Sequence, residues 1–250
     1  MLSEINEINK TLSSVPENKD SPQQTFHDIW HLIFGGFHNF VEKKRISRVV
    51  DLENFKMSLE HKIADIPKGS LVEPKLSTLG PALEASKYYI EEEQLREMFA
   101  KLIASSMDNR VDSKVHPAFV EIIKQLQPIE AEILTLFKNK SLYPIINLGI
   151  EEGNSSEVIF PNVFIDLKKE YEYDIVSSSI DNIVRLGLAA TDYLKYLANC
   201  NYERFKKTPE YNKLLKKIRM SYSPETTLPS ISKGIIYTTQ LGKKFIDVCL

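Results

Sequence analysis

The chain has 250 residues, room for one large domain or two small ones. Its 32 Lys and Arg against 34 Asp and Glu leave a formal net charge of −2, which excludes a polycation drawn as a whole to nucleic acid. Hydrophobic residues at 42% and charged residues at 26% exclude a largely disordered chain, and Cys200 and Cys249 alone make no disulfide framework and point to a reducing compartment.

Residues 1–25 are polar, carry acids early and lack an apolar run, so a flexible lead is expected there and not a secretory leader. Phe26, Ile29, Trp30, Ile33, Phe34, Phe37, Phe40 and Val41 then recur at steps of three and four, the signature of one apolar helical face. The run is shorter than the ~18 apolar residues a membrane span needs. His27 and His31 share that stripe four apart, but no third ligand follows at metal-binding spacing, and a polar border is the simpler reading. Lys43-Lys44-Arg45 closes the helix in cations. Such a helix suits burial in its own fold, a subunit interface, or a membrane surface where cations meet anionic lipid. Trp30, Phe34, Phe37, Lys43, Lys44 and Arg45 are therefore candidates for partner or membrane contact.

Asp51 is positioned to cap a second helix striped by Leu52, Phe55, Leu59 and Ile63, which Ile66-Pro67-Lys68-Gly69 stops. Leu71–Pro74 reads as an extended connector, and Pro81 as the opening of a short helix through Ala85. Leu95, Met98, Phe99, Leu102, Ile103 and Met107 stripe a helix over Glu91–Met107, expected to bury against Phe119, Ile122 and Ile123 of a helix opened by His116-Pro117.

After Gln127 the pattern changes. Pro128–Lys140 predicts a helix, Leu142–Ile146 and Val158–Phe160 short strands, and Pro161–Tyr171 and Ile175–Leu186 two further helices, the latter stopped by Gly187. Tyr193–Leu197 and Gly234–Thr239 read as strands around an insertion, and Thr239 caps a terminal helix in which Phe245 faces the core. That order is the order of a winged helix-turn-helix. Val184, Leu186, Ile235, Tyr237 and Phe245 are its expected core. The fold class is mainly α, with a helical domain at 26–127 and a winged-helix-like α+β domain at 128–250 that carries a basic helical insertion at about 198–222.

On the third helix of that module only Asn182 and Arg185 suit base or phosphate contact, and Asp181 opposes it. The cations concentrate in the insertion, where Tyr193–Tyr222 holds eight Lys and Arg against two Glu. Lys206, Lys207, Lys216 and Lys217 join Asn182 and Arg185 as candidates for nucleic-acid or anionic-partner contact, beside the plainer reading of a solvated face. No phosphate loop, paired catalytic carboxylates or Cys–His arrangement stands out, so the reading is non-enzymatic, with no catalytic, metal or cofactor-binding residues and no small-molecule substrate.

Several blocks carry a family resemblance. They include Phe34-Gly35-Gly36, Glu42-Lys43-Lys44-Arg45, Val72-Glu73-Pro74 and Leu79-Gly80-Pro81-Ala82-Leu83-Glu84-Ala85-Ser86. The most specific are Leu95–Met107, ending Ala-Ser-Ser-Met, and His116–Leu126. From Trp30 to about Leu136 the chain resembles the Abi-alpha (abortive infection alpha) family of bacterial phage-defence proteins. The resemblance implies a bacterial cytoplasmic protein linked to abortive infection, and it brings no catalytic residues. With the residues it points to phage defence through a protein partner, self-association or contact at the inner membrane. A winged-helix DNA-binding regulator is the alternative.

Overall fold

A computed structural model describes Trp30, His31 and residues 46–222 and 226–250. The chain forms two compact units: one ends at Lys124 and also takes in Val248–Leu250, and the other is Gln125–Asp247.

The first unit is helical. Helix α1, Ile46–Ala64, buries Leu52, Phe55, Leu59 and Ile63, the stripe that the three-and-four spacing predicts. Asp51 lies inside α1 and does not cap it; its carboxylate accepts from Arg96 at 3.1 Å. Helix α2, Leu76–Ser86, begins before Pro81 and carries that proline in its interior. Leu79, Ala82 and Leu83 are fully buried, and this burial holds a helix that the proline alone would argue against. Helix α3, Glu93–Ser106, buries Leu95, Met98, Phe99, Leu102 and Ile103, and α4, Ala118–Ile123, buries Phe119, Ile122 and Ile123. His116 accepts the backbone N–H of Ala118 at its Nδ1, 3.1 Å away, so it opens α4.

The second unit opens with α5, Pro128–Leu136, and is organised by a four-stranded antiparallel sheet of order β2-β1-β4-β3. The strands are β1, Leu142–Glu152, β2, Ser155–Val163, β3, Ala189–Asp192, and β4, Thr227–Thr238. The protein is thus mixed α+β, where the sequence pattern predicts a mainly α fold. Two long strands make the difference. In β4 the run Thr227–Lys233 reads polar because most of it stays partly or fully exposed, and Pro229 and Gly234 mask its alternation.

Pro161–Tyr171 is not the predicted helix. Pro161–Val163 ends β2, and 164–172 has no regular structure. Val163, Leu167 and Tyr171 match a helical period, but the ladder to β1 claims the chain through Val163, which pairs with Ile146. The first helix of a helix-turn-helix is therefore missing. Tyr193–Leu197 is not a strand either; β3 precedes it. Helix α6, Tyr173–Arg185, ends at Leu186-Gly187, with Gly187 at φ 72° as a helix stop requires.

The basic segment is a 3-10 turn at Tyr202–Lys207 followed by α7, Pro209–Ser221. It is no detached insertion. Tyr202, Phe205, Leu214 and Ile218 form one core cluster with Ile146, Leu148, Ile150 and Val163 of the sheet. Helix α8, Gln240–Cys249, follows β4, and Thr239 caps it by accepting the N–H of Gly242 at 2.9 Å. Phe245 is fully buried as expected, but the neighbouring core is out of phase with the sequence reading. Ile183, Leu188 and Ile236 are buried, while Val184, Leu186, Ile235 and Tyr237 are only partly so. A one-residue phase error in a strand moves every side chain to the other face.

Candidate interaction surface

Trp30 is not an open contact residue. It is 6% exposed, its ring 5.6 Å from that of Phe55. Phe34, Phe37, Lys43, Lys44 and Arg45 lie outside the described residues. Asn182 and Arg185 are engaged at the start of the second unit: Asn182 donates to the Gln125 carbonyl at 2.9 Å and to Glu130 at 2.8 Å, and Arg185 donates to the Gln125 side chain at 3.0 Å. Glu130 is buried and also accepts the backbone N–H of Gln127 at 2.9 Å. Burial pushes its carboxyl above the ordinary value, against the pull of those hydrogen bonds.

Of the eight cations between Tyr193 and Tyr222, four are committed. Lys195 pairs with Asp192, Lys206 with Glu203, Lys213 with Glu210, and Arg204 grips Asp166 through both terminal nitrogens at 3.0 and 2.6 Å. Arg204 thereby ties the 3-10 turn to the chain just after β2 and is a structural residue. Lys207, Lys216, Lys217 and Arg219 have no ion pair among the described residues. Lys206, Lys207, Lys216 and Lys217 are all exposed.

The arrangement follows from helix geometry. Pro209 opens α7 and the Thr208 hydroxyl accepts the N–H of Tyr211, two features that fix its first turn. Leu214 and Ile218, four apart, are buried in the cluster that includes β1. At about 100° per residue, Lys213, Lys216 and Arg219 then fall on the opposite arc, with Lys217 at its edge. Met220 lies among them and is 87% exposed.

The β1–β2 turn beside α7 is acidic. Glu152 pairs with Ser155 across a two-residue turn in which Gly153 has φ 58°, the sign such a turn needs at its first central position. Residues 151–158 are all exposed. Glu151, Glu152 and Glu157 have no ion pair among the described residues and are met by hydroxyls instead. Ser230 donates to Glu151 at 2.6 Å, Thr226 and Thr227 to Glu152 at 3.3 Å each, and Tyr222 to Glu157 at 3.4 Å. In the sequence these acids read only as a spacer between strands; the run of Glu next to Gly-Asn was the available signal.

A polar knot fixes the sheet to α6. Asn162, at φ 54°, gives its N–H to Asn147 and its amide to Asp181, and accepts the Tyr193 hydroxyl at 2.7 Å. Burial drives the Tyr193 phenol well above its ordinary value, so it stays a donor. Gly234 leaves space for this ring, since a Cβ there would sit 2.6 Å from it.

In the first unit, a cleft of about 100 Å³ is lined by Lys62, Asp65, Lys101, Ser105, Asp108 and Arg110. Lys62 is committed to Glu97 at 2.6 Å and Arg110 to Asp108 at 2.6 Å. Cys249 is wholly buried and burial pushes its thiol well up, the opposite of an activated nucleophile. No cluster of three or more metal-ligating side chains occurs among the described residues, and no helix among them is long and apolar enough to cross a membrane.

The abortive infection alpha family model matches residues 47–249. The chain belongs to the abortive infection alpha family. The family match reaches beyond the blocks from which the resemblance was read. It takes in the whole second unit, with both the α7 face and the acidic turn, and it leaves out Phe34-Gly35-Gly36 and Glu42–Arg45. Neither a curated protein nor a solved structure matches the chain.

Proposed function

We propose that the protein is a non-enzymatic component of abortive infection, a bacterial defence against phage, and that it works in the cytoplasm by docking to another macromolecule through the cationic face of α7. Family membership supports the biological setting. The observation that carries the docking reading is that Leu214 and Ile218 of α7 are buried against the sheet while Lys216, Lys217 and Arg219 are exposed without ion pairs among the described residues. Because its apolar side is already used in the core, α7 has no apolar face left to insert in a bilayer, which favours a macromolecular partner over a lipid surface.

The rival reading, a winged-helix DNA regulator, draws support from the order α6, β3, β4, α8. Its readers Asn182 and Arg185 are engaged by Gln125, which weighs against it. A mobility shift on duplex DNA whose affinity falls steeply with salt would favour it.

Phage challenge of cells with and without the protein tests the main reading. The expected result is survival of the culture at low phage dose and collapse at high dose. Lys216→Glu with Lys217→Glu is expected to abolish protection at unchanged protein level. Equal lysis with and without the wild-type protein, or full protection by the double variant, would overturn the reading.

A further inference from the structure

We infer that the partner of the α7 face is a second copy of this chain, whose acidic β1–β2 turn receives it, in a two-fold dimer that uses both patches of both copies. The inference rests on the reading of α7 as a docking face and names what docks there. Two patches of opposite sign lie on one unit, and neither is ion-paired among the described residues. Lys216, Lys217 and Arg219 make the positive patch, and Glu152 and Glu157 the core of the negative one.

The patches are neighbours. Tyr222 directly follows α7 and its hydroxyl reaches Glu157. Glu157 lies opposite Ile150 in the ladder, and Ile150 belongs to the cluster on which α7 packs, so Glu152 and Glu157 project on the α7 side of the sheet. They do not pair with the α7 cations in the same molecule because Leu214 and Ile218 turn that helix face away from the sheet. The carboxylates are also pre-oriented, since hydroxyls of Thr226, Thr227 and Tyr222 already hold them.

Adjacent patches of opposite charge are self-complementary under a two-fold axis: the helix of each copy meets the turn of the other, and every contact is made twice. Met220, exposed amid the cations, adds apolar area at the centre of the contact. Single surface ion pairs are weak, so the interface depends on several acting together and on low screening. A nucleic-acid partner would need the cations but not the acids, and the test separates the two.

Sedimentation equilibrium of the full chain is the measurement, at about 50 and about 500 mM salt. The wild type is expected to dimerise at the lower salt, with a dissociation constant at least about tenfold higher at the upper one. The variants K216E/K217E and E152K/E157K are each expected to be monomeric alone, with melting curves that overlay the wild type. Mixed one to one, they are expected to dimerise again, because the reversed helix then meets the reversed turn and the native helix the native turn. A wild-type monomer at low salt, a dimer indifferent to both variants, or a mixture that stays monomeric would each sink the inference. If the chain is monomeric yet phage protection still depends on Lys216 and Lys217, the docking reading survives with a different partner. If the charge swap behaves as described but no protection is seen, the dimer stands and the defence reading falls.

Discussion

Phe99 is fully buried on α3, with its ring 5.7 Å from that of Tyr89. Replacing it with Ala removes the side chain's buried area and leaves a cavity, a change worth about 3–5 kcal/mol. Urea denaturation of Phe99→Ala should show that loss, and a midpoint near the wild type's would mean the helix buries a different face. Glu130 behaves in the opposite way to most surface acids. Its folded value lies above the ordinary 4.5, so as pH rises the unfolded chain ionises first. Glu130 thus favours folding at low pH, and that contribution is lost as pH rises through the raised value. Glu130→Gln carries no such proton. Its stability relative to the wild type is expected to improve between pH of about 4 and about 7 in paired denaturation curves, and a pH-independent difference would contradict this. Glu97 has the reverse sign. Burial alone would raise its carboxyl, but hydrogen bonds from Lys62 and Ser58 and the charges of Lys62 and Arg96 hold it below the ordinary value, so its contribution is lost only as pH falls.

At the scale of elements, α8 approaches the residue that leads into β3 more closely than a side chain allows. A Cβ on Gly242 would stand 1.9 Å from the Leu188 carbonyl oxygen. Gly242→Ala should therefore cost about 1–3 kcal/mol through a forced shift of helix or strand. Thermal melts of that variant beside Gly80→Ala, where nothing lies within 4 Å, would show the contrast, and equal melting points would refute it. Which elements were readable in the sequence follows from how each is buried. Helices α1 and α3 bury one clean stripe, so Leu52, Phe55 and Leu59, or Leu95, Phe99 and Leu102, announce them by spacing. The strand β4 does not, because Thr227–Lys233 is mostly open to water and its signal is polar. The false helix at Pro161–Tyr171 has a local period that fits, while the competing ladder to β1 is set by residues fifteen or more positions away. Of the candidate surface, the cations of α7 were legible because charge is a property of composition. The acidic turn's role was not, since it depends on which hydroxyls of β4 lie beside Glu151 and Glu152.

The whole molecule is two units, and the last residues of the chain belong to the first. Val248–Leu250 belong to the unit that otherwise ends at Lys124. Ser105 donates to the Val248 carbonyl at 2.9 Å, Val248 is fully buried and Cys249 almost so. Deleting those three residues removes buried side chains from the first unit alone. Hydrogen exchange should then show faster exchange for α3 amides and unchanged protection for the β1–β4 ladder. Equal loss in both units would mean that the deletion acts on the molecule as a whole.

That return path also sets an order in time. The Ser105–Val248 bond spans 143 residues of chain. On a ribosome, the helices of the first unit emerge while the segment that finishes their core has yet to be made. At roughly 5–20 residues per second, the wait lasts on the order of ten seconds. The second unit's sheet also waits, since Leu142 of β1 pairs with Tyr237 of β4, but its strands are complete by Thr238, before Val248–Leu250 are made. The unit that is synthesised first is therefore the one completed last.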